Sequence, residues 1–236
     1  MTESILPGTG KTVVVTGASR GLGRHICQRA LDAGYGVIGV SRNVEPMSGA
    51  RMLSCDVSDA DQIANLFGEL RKETDLWGFI NAAGVASMNL VLTTPPETIE
   101  RIIRVNLVGT IFCNQHAGRL LVRRRAGRII NFSTIAVSLA LKGEATYAGS
   151  KAGVEAFSRS FAREMGDHNI TVNCIAPGPI DTALISKVPS EKIEGIVERQ
   201  IIARKGTAED VWNVASLLLS SSADMITGEV IHIGGA

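Results

Sequence analysis

Short unbroken runs of β-branched and apolar residues alternate along this chain with longer segments of helical periodicity, and this alternation constrains the fold more than any other feature. Residues 12–16 read Thr-Val-Val-Val-Thr and stop at Gly17; runs at 36–40, 52–55, 76–80, 128–132, 171–175 and 230–233 are of the same kind. A strand that is apolar on both sides must be covered on both faces, which happens when helices cross back over a parallel sheet. Helical patterns fill the intervals at 20–33, 58–73, 96–121, 147–165 and 208–219. In the second of them Ser58 is the expected N-cap and Asp61 the acid at the third helical position. Right-handed crossovers then give an α/β fold, a doubly wound parallel sheet of about seven strands with helices on both faces. Ligands of such a sheet bind outside the strand C-termini, a rule that gathers Gly17, Asn81, Thr134 and Ala176 on one rim.

Nothing divides the 236 residues: there is no Pro/Ser-rich linker, charge block or repeat. One domain spanning 11–236 is expected, after an N-terminal tail, 1–10. With 24 Lys and Arg against 23 Asp and Glu the net charge is +1, too small a field to recruit nucleic acid or an anionic membrane. Cys27, Cys55, Cys113 and Cys174 are far apart, lack metal-ligand spacing and have mostly apolar flanks, as suits reduced thiols in a cytoplasmic protein without a metal. The first ten residues carry no basic residue and no long apolar core, so no signal peptide is expected, and no run of about 18 apolar residues predicts a membrane span.

Two clusters carry chemistry. Gly17, Gly21 and Gly23 lie between the first strand and the first helix, where glycine permits a tight turn and close backbone approach. The helix N-terminus there offers unpaired N–H groups and a positive dipole end to a pyrophosphate. The second strand ends in Ser41-Arg42-Asn43, with no acid until Glu45. A carboxylate at that point would bind ribose hydroxyls and repel a 2′-phosphate; Arg42, with Arg20 in the glycine loop, favours the phosphate and hence NADP(H). Asp56, after the third strand, either accepts a hydrogen bond from the adenine amino group or leads the next helix. Far downstream, Tyr147 and Lys151 stand four residues apart, one turn along a helix face. A phenol with a pKa of about 10 is a poor acid or base near neutrality, and an adjacent ammonium lowers that value.

In order, Thr16-Gly-Ala-Ser-Arg-Gly-Leu-Gly23, Asn81-Ala-Ala-Gly84, Asn106, Tyr147-x-x-x-Lys151 and Pro177-Gly178 resemble the short-chain dehydrogenase/reductase family over residues 11–235. The flavour is that of the 3-oxoacyl-[acyl-carrier-protein] reductases, through segments 127–131, 162–164, 170–173 and 226–229. The resemblance implies a Rossmann-type fold and NADPH-dependent reduction of a ketone, most specifically a 3-oxoacyl thioester in fatty acid biosynthesis; another apolar alcohol or ketone is the alternative, and a silent cofactor-binding regulator a further one. It implies that Tyr147 gives the proton to the substrate oxygen and that Lys151 lowers the Tyr147 pKa and holds the nicotinamide ribose. Asn106 anchors a relay water in this scheme, or is purely structural. The family usually places a serine thirteen residues before the tyrosine; Thr134 stands there, beside Ser133, and spacing favours Thr134. Ala82 departs from the usual Asn. Ser19, Leu22, Val57, Asn81, Ala82 and Gly84 join the glycine loop, Ser41, Arg42 and Asp56 around the cofactor, and Pro177, Ile180 and Thr182 hold the nicotinamide carboxamide.

The resemblance also implies a homotetramer, with the helices from 96 and 147 at one interface and Phe157 and Phe161 either there or in the core. Residues 183–205 carry an amphipathic pattern that fits a substrate lid, a core helix or an interface. Arg119, Arg123, Arg124, Arg125 and Arg128 form a basic cluster, read either as a solvated helix end or, at Arg125, as a contact for an acidic acyl carrier protein; His168 stands where a second arginine often sits.

Overall fold

In the computed structural model, which describes residues 8–181 and 189–236, seven strands form one parallel sheet: β1 (Thr12–Thr16), β2 (Gly36–Ser41), β3 (Ala50–Ser54), β4 (Leu76–Asn81), β5 (Gly127–Phe132), β6 (Ile170–Pro177) and β7 (Val230–Ile233). Their order is β3-β2-β1-β4-β5-β6-β7, every neighbouring pair parallel. The order reverses at β1, which pairs with β2 on one side and β4 on the other, so the ligand crevice opens where Thr16 sits beside Asn81.

Successive strand residues point to opposite faces, and both faces are packed. Val14, Phe79, Ile129 and Val172 meet one helical layer, built from α2 (Ala60–Leu70), α4 (Gly109–Val122) and α6 (Ala145–Gly166), through Ile63, Phe67, Leu121 and Phe161. Val13, Val15, Ile80, Ile130 and Ile175 meet the other, α1 (Gly21–Asp32) and α8 (Ala208–Leu219), through Ile26, Ala30, Trp212 and Leu218. Each buried Val or Ile contributes about 1.5–3 kcal/mol. A one-residue slip of any central strand would exchange its two apolar faces rather than expose one, so register is held by the ends of the strands, where the polar residues are.

Three local expectations are corrected. The cap of α2 is Asp59, whose side chain accepts from Asp61 N at 2.9 Å and Gln62 N at 3.1 Å. Ser58 cannot serve because its own N–H and hydroxyl are turned onto Asp56 Oδ1. The helix expected over 96–121 has three parts: α3 (Pro96–Ile103), a π-helical turn at Arg104–Val108, and α4. Lastly, α1 begins at Gly21, with Arg20 in extended conformation before it. Two short helices were not foreseen as such, α5 (Ala136–Leu139) and α7 (Ser190–Val197); the latter lies within the expected lid and buries only Ile193. Residues 182–188 of that region lie outside the described residues, Thr182 among them. No helix among the described residues is long and apolar enough to cross a membrane.

Candidate active site

The glycine loop is shaped by close contact. Gly17 has φ +73°, and a Cβ on it would lie 2.9 Å from the Ala82 carbonyl and from Ala83 Cα. A Cβ on Gly23 would lie 2.3 Å from the Gly17 oxygen. The loop after β1 thus rests directly on Asn81-Ala-Ala-Gly84, and Ala83 N donates to Thr16 Oγ1 at 3.1 Å. Ser19 and Leu22 are half-buried, Arg20 and Gly21 exposed. Arg20 gives α1 no side-chain cap, and its first turn holds no acid. The N–H groups there are open to an anion, with the positive end of the helix dipole behind them.

At the neighbouring strand ends, Ser41 is buried and its hydroxyl donates to Asn43 O at 2.7 Å. Arg42 is exposed, its side chain paired with nothing among the described residues. Asp56 uses Oδ1 on Ser58 in a turn of its own, which leaves Oδ2 to accept from a ligand. Val57 is half-buried, and its carbonyl lies against Gly109, where a Cβ would approach to 2.4 Å. An uncapped helix and a Cβ-free cradle together fit a dinucleotide, and the end of β2 beside them is basic rather than acidic.

The second half of the crevice is built by α6 against the end of β5. The Thr134 side chain lies beside the Tyr147 phenol, both residues are partly open to the cleft, and Thr134 Oγ1 accepts from Ala136 N at 3.2 Å. Ser133, just past the end of β5, is buried with its hydroxyl on Glu155 Oε1 at 2.5 Å, which leaves Thr134 as the hydroxyl beside the phenol. Lys151 is buried and donates from Nζ to Phe132 O at 2.7 Å. Asn106, in the π-turn, has its side chain wholly engaged: Oδ1 accepts from Val85 N and Nδ2 donates to Val85 O, each at 2.8 Å, with Ser150 Oγ at 3.1 Å. Any water held by Asn106 would therefore have to use its backbone carbonyl, onto which Thr110 Oγ1 already donates at 2.8 Å. Gly84 sits over both groups; a Cβ there would lie 3.3 Å from Asn106 Oδ1 and 3.7 Å from Lys151 Nζ.

The electrostatics differ from the expected pairing. Burial, then the Glu144 carboxylate, push the Tyr147 phenol up to about 12, opposed by the hydrogen bond with Thr134. Burial pulls Lys151 down to about 8. Lys151 is not among the groups that shift Tyr147, and its ammonium donates to the Phe132 carbonyl. Each group is driven towards its neutral form by the same loss of water.

On the family, the comparisons are decisive. The profile described as enoyl-(acyl carrier protein) reductase matches residues 17–235. The 3-oxoacyl-[acyl-carrier-protein] reductase FabG of Salmonella typhimurium is 32% identical over 237 residues, 96% of each chain. This chain belongs to the short-chain dehydrogenase/reductase family. The reductase MabA of Mycobacterium bovis is 32% identical over 230 residues, covering 97% of this chain and 93% of that one. A short-chain type dehydrogenase/reductase from Mycobacterium ulcerans superposes with TM-score 0.90 at 28% identity, over 98% of this chain and 90% of the other. The aldohexose dehydrogenase of Thermoplasma acidophilum gives 0.88 at 29%, over 96% and 94%. The protein is thus an oxidoreductase of a family that works with a nicotinamide cofactor.

Other expected residues of this short-chain dehydrogenase/reductase fall as follows. Pro177 ends β6 and its carbonyl accepts from Ile135 N at 3.1 Å; Ile180 is buried and bridges to Gly206. Asn81 is buried and donates to Asn131 Oδ1 at 2.7 Å, joining a network with Asn114 and Ser158 that the sequence reading missed. Asn131 sits inside the apolar run of β5, whereas Asn114 opens the polar run Asn114-Gln115-His116. Glu155, also missed, is four residues beyond Lys151. Glu144, whose carboxylate lies near Tyr147, was missed without any sequence signal.

The basic cluster of this family member is not one surface. Arg128 is buried, 4.5 Å over the Trp77 ring and paired with Asp224. Arg124 donates to the carbonyls of Thr74 at 2.8 Å and Leu76 at 2.9 Å, and to that of Glu73. Arg119, Arg123 and Arg125 remain exposed. Arg125 donates to Asp167 O at 3.2 Å, just past the far end of α6 from Tyr147 and so about 30 Å from it at 1.5 Å per residue. His168 has a buried Nδ1 without a partner among the described residues. Between α2, α4 and α6 runs a groove of about 640 Å³ lined by Ile111, Leu120, Phe157, Phe161 and Met165, with Arg71 and Glu164 also lining it.

Proposed function

We propose that this chain reduces a ketone to a secondary alcohol with NADPH, and that the ketone is a 3-oxoacyl thioester carried by acyl carrier protein or CoA. The observation that carries the reading is the Thr134–Tyr147 pair: two hydroxyls converge at the strand rim where one carbonyl oxygen would sit. Gly17, Ser19, Arg20, Gly21, Leu22 and Gly23 would hold the pyrophosphate side of the cofactor, Ser41 and Arg42 its 2′-phosphate, Asp56 and Val57 the adenine. Asn81, Ala82, Gly84, Lys151, Pro177, Ile180 and Thr182 would hold the nicotinamide half. The bound nicotinamide supplies hydride. Tyr147 gives its proton to the oxygen that becomes alkoxide, and Thr134 donates a hydrogen bond to the same oxygen as charge develops. A phenol pushed to about 12 is fully protonated at neutral pH, the form a reduction needs. Lys151, mostly ammonium at neutral pH with its pKa of about 8, returns a proton to the phenolate after turnover and is itself left as the neutral amine until it regains one from water.

The relatives named as 3-oxoacyl-[acyl-carrier-protein] reductases support the thioester substrate, and the Arg42 end of β2 supports NADPH. The apolar groove between α4 and α6 supports packing of a second copy there, on the way to a tetramer. A second reading, oxidation of a hydroxylated substrate, is favoured by Glu144, whose carboxylate beside Tyr147 could accept from a substrate hydroxyl. One assay separates them: nicotinamide absorbance with acetoacetyl thioester plus NADPH or NADH, beside aldoses plus NADP⁺. Thioester-dependent consumption with preference for NADPH is expected; turnover of aldoses alone would reverse the order of the two readings.

A further inference from the structure

Three consecutive residues at the end of β5 meet three successive turns of one face of α6. Thr134 lies beside Tyr147, the Phe132 carbonyl accepts from Lys151, and Ser133, between them, donates to Glu155. Positions 147, 151 and 155 follow at intervals of four and share that face. Two of the three helix residues are already accounted for by the chemistry. Glu155 is not: it is a carboxylate only 8% exposed, facing a strand end where an apolar side chain would pack without loss of hydration. Its other ionic neighbour, Arg159, is 3.9 Å away and half in solvent. The short bond to Ser133 is therefore what this buried carboxylate is for.

The bond acts on a backbone that has few other anchors. Beyond Phe132 the strand ladder ends; Ser133 N reaches Ile175 O at 2.8 Å, and Ile135 N reaches Pro177 O at 3.1 Å, but the Thr134 N–H makes no backbone bond among the described residues. Thr134 accepts from the turn that follows, at Oγ1 from Ala136 N and at its carbonyl from Val137 N, each at 3.2 Å, so the place of its hydroxyl depends on that turn and on the tether at Ser133 before it. Lys151 grips Phe132 in this structure, yet the same ammonium is needed at the nicotinamide ribose under the reading above. The Glu155–Ser133 bond does not depend on the cofactor.

We propose that Glu155 is a positioning residue, which through Ser133 fixes the end of β5 so that Thr134 presents its hydroxyl beside Tyr147. This rests on the reading of Thr134 and Tyr147 as the pair that binds the substrate oxygen. Glu155 touches neither substrate nor cofactor. A carboxamide can accept the same Ser133 hydrogen bond, so the charge itself is dispensable and the acceptor oxygen is not.

The test combines steady-state kinetics, NADPH binding by fluorescence and crystal structures for Glu155→Gln, Glu155→Leu, Ser133→Ala and the Ser133→Ala/Glu155→Leu double variant. Glu155→Gln should keep kcat within about threefold. Glu155→Leu and Ser133→Ala should each lower kcat about tenfold, with KM and NADPH Kd nearly unchanged, since a displaced hydroxyl weakens the transition state more than binding. The double variant should be no worse than either single one, because both remove one interaction. Full kcat in Ser133→Ala, equal damage in Glu155→Gln and Glu155→Leu, or additive losses would overturn the proposal. An inactive wild type would overturn the functional reading instead, and the structures still decide: if Thr134 stays beside Tyr147 in both Glu155→Leu and Ser133→Ala, Glu155 positions nothing, and if it moves away in both, the positioning role stands.

Discussion

The side-chain amide of Asn106 closes on Val85 at both ends, accepting from its N–H and donating to its carbonyl at 2.8 Å each. A helix side chain thereby completes the backbone bonding of the loop that follows β4, the loop against which Gly17 rests. Only an amide can do this, since the two bonds need a donor and an acceptor on one short stem. Asn106→Ala should leave both Val85 groups unpaired and lower stability by about 2 kcal/mol. Urea denaturation measures that loss, and NADPH affinity should fall with it, because the cofactor platform is the segment released.

Replacing Tyr147 by Phe should abolish turnover, by at least about a thousandfold, while NADPH binding stays within a few-fold of wild type. Fluorescence titration beside kinetics checks both halves. Near-wild-type kcat in this variant would remove Tyr147 as proton donor.

Thr134→Ala should lower kcat about a hundredfold or more, well beyond the effect of Ser133→Ala, because one removes a donor to the substrate oxygen and the other only its support. Thr134→Ser should restore most of the activity. Parallel kcat measurements on the three variants give the ordering.

The Glu144 carboxylate raises Tyr147. Glu144→Gln removes a negative charge from beside the phenol, so ionisation becomes easier and the phenol pKa falls. In the alcohol-oxidising direction, where the phenolate is the active form, the rising limb of the kcat profile should move to lower pH. A pH series from neutral to alkaline in both proteins reads the shift; an unmoved limb would mean that Glu144 does not act on Tyr147.

Arg42→Asp places a carboxylate at the end of β2, where it repels a 2′-phosphate and accepts from ribose hydroxyls. NADPH affinity should fall at least tenfold and NADH affinity rise, as measured by equilibrium titration.

Much of this fold can be read from residue order alone. Val13, Val14 and Val15 belong to a strand buried on both faces whatever surrounds them, and the glycine at 17 ends it. The choice of Thr134 over Ser133 is also legible, in its spacing of thirteen residues from Tyr147, and the burial of Ser133 on Glu155 agrees with it. What stayed hidden depends on partners far along the chain. Arg128 looks like a surface charge until Trp77 and Asp224, the latter 96 residues away, close over it. Ser58 and Asp59 are equally good caps on paper; Asp56 decides between them by taking Ser58 for its own turn. Spacing places Lys151 on the Tyr147 face of α6 but cannot say that its ammonium is turned to Phe132.

The π-turn at Arg104–Val108 holds one residue more than an α-helix of the same rise would. That residue aims Asn106 at Val85, and it also turns everything after it by roughly 100° about the helix axis. Ile111 and Leu120 on α4 owe their place in the groove beside α6 to that rotation. Straightening the helix by deleting a residue would not simply blunt the cleft; it would swing the groove wall round to a different side of the molecule. Reaction geometry and the shape offered to a neighbouring molecule are written into the same irregular turn, and neither can drift in evolution without carrying the other along.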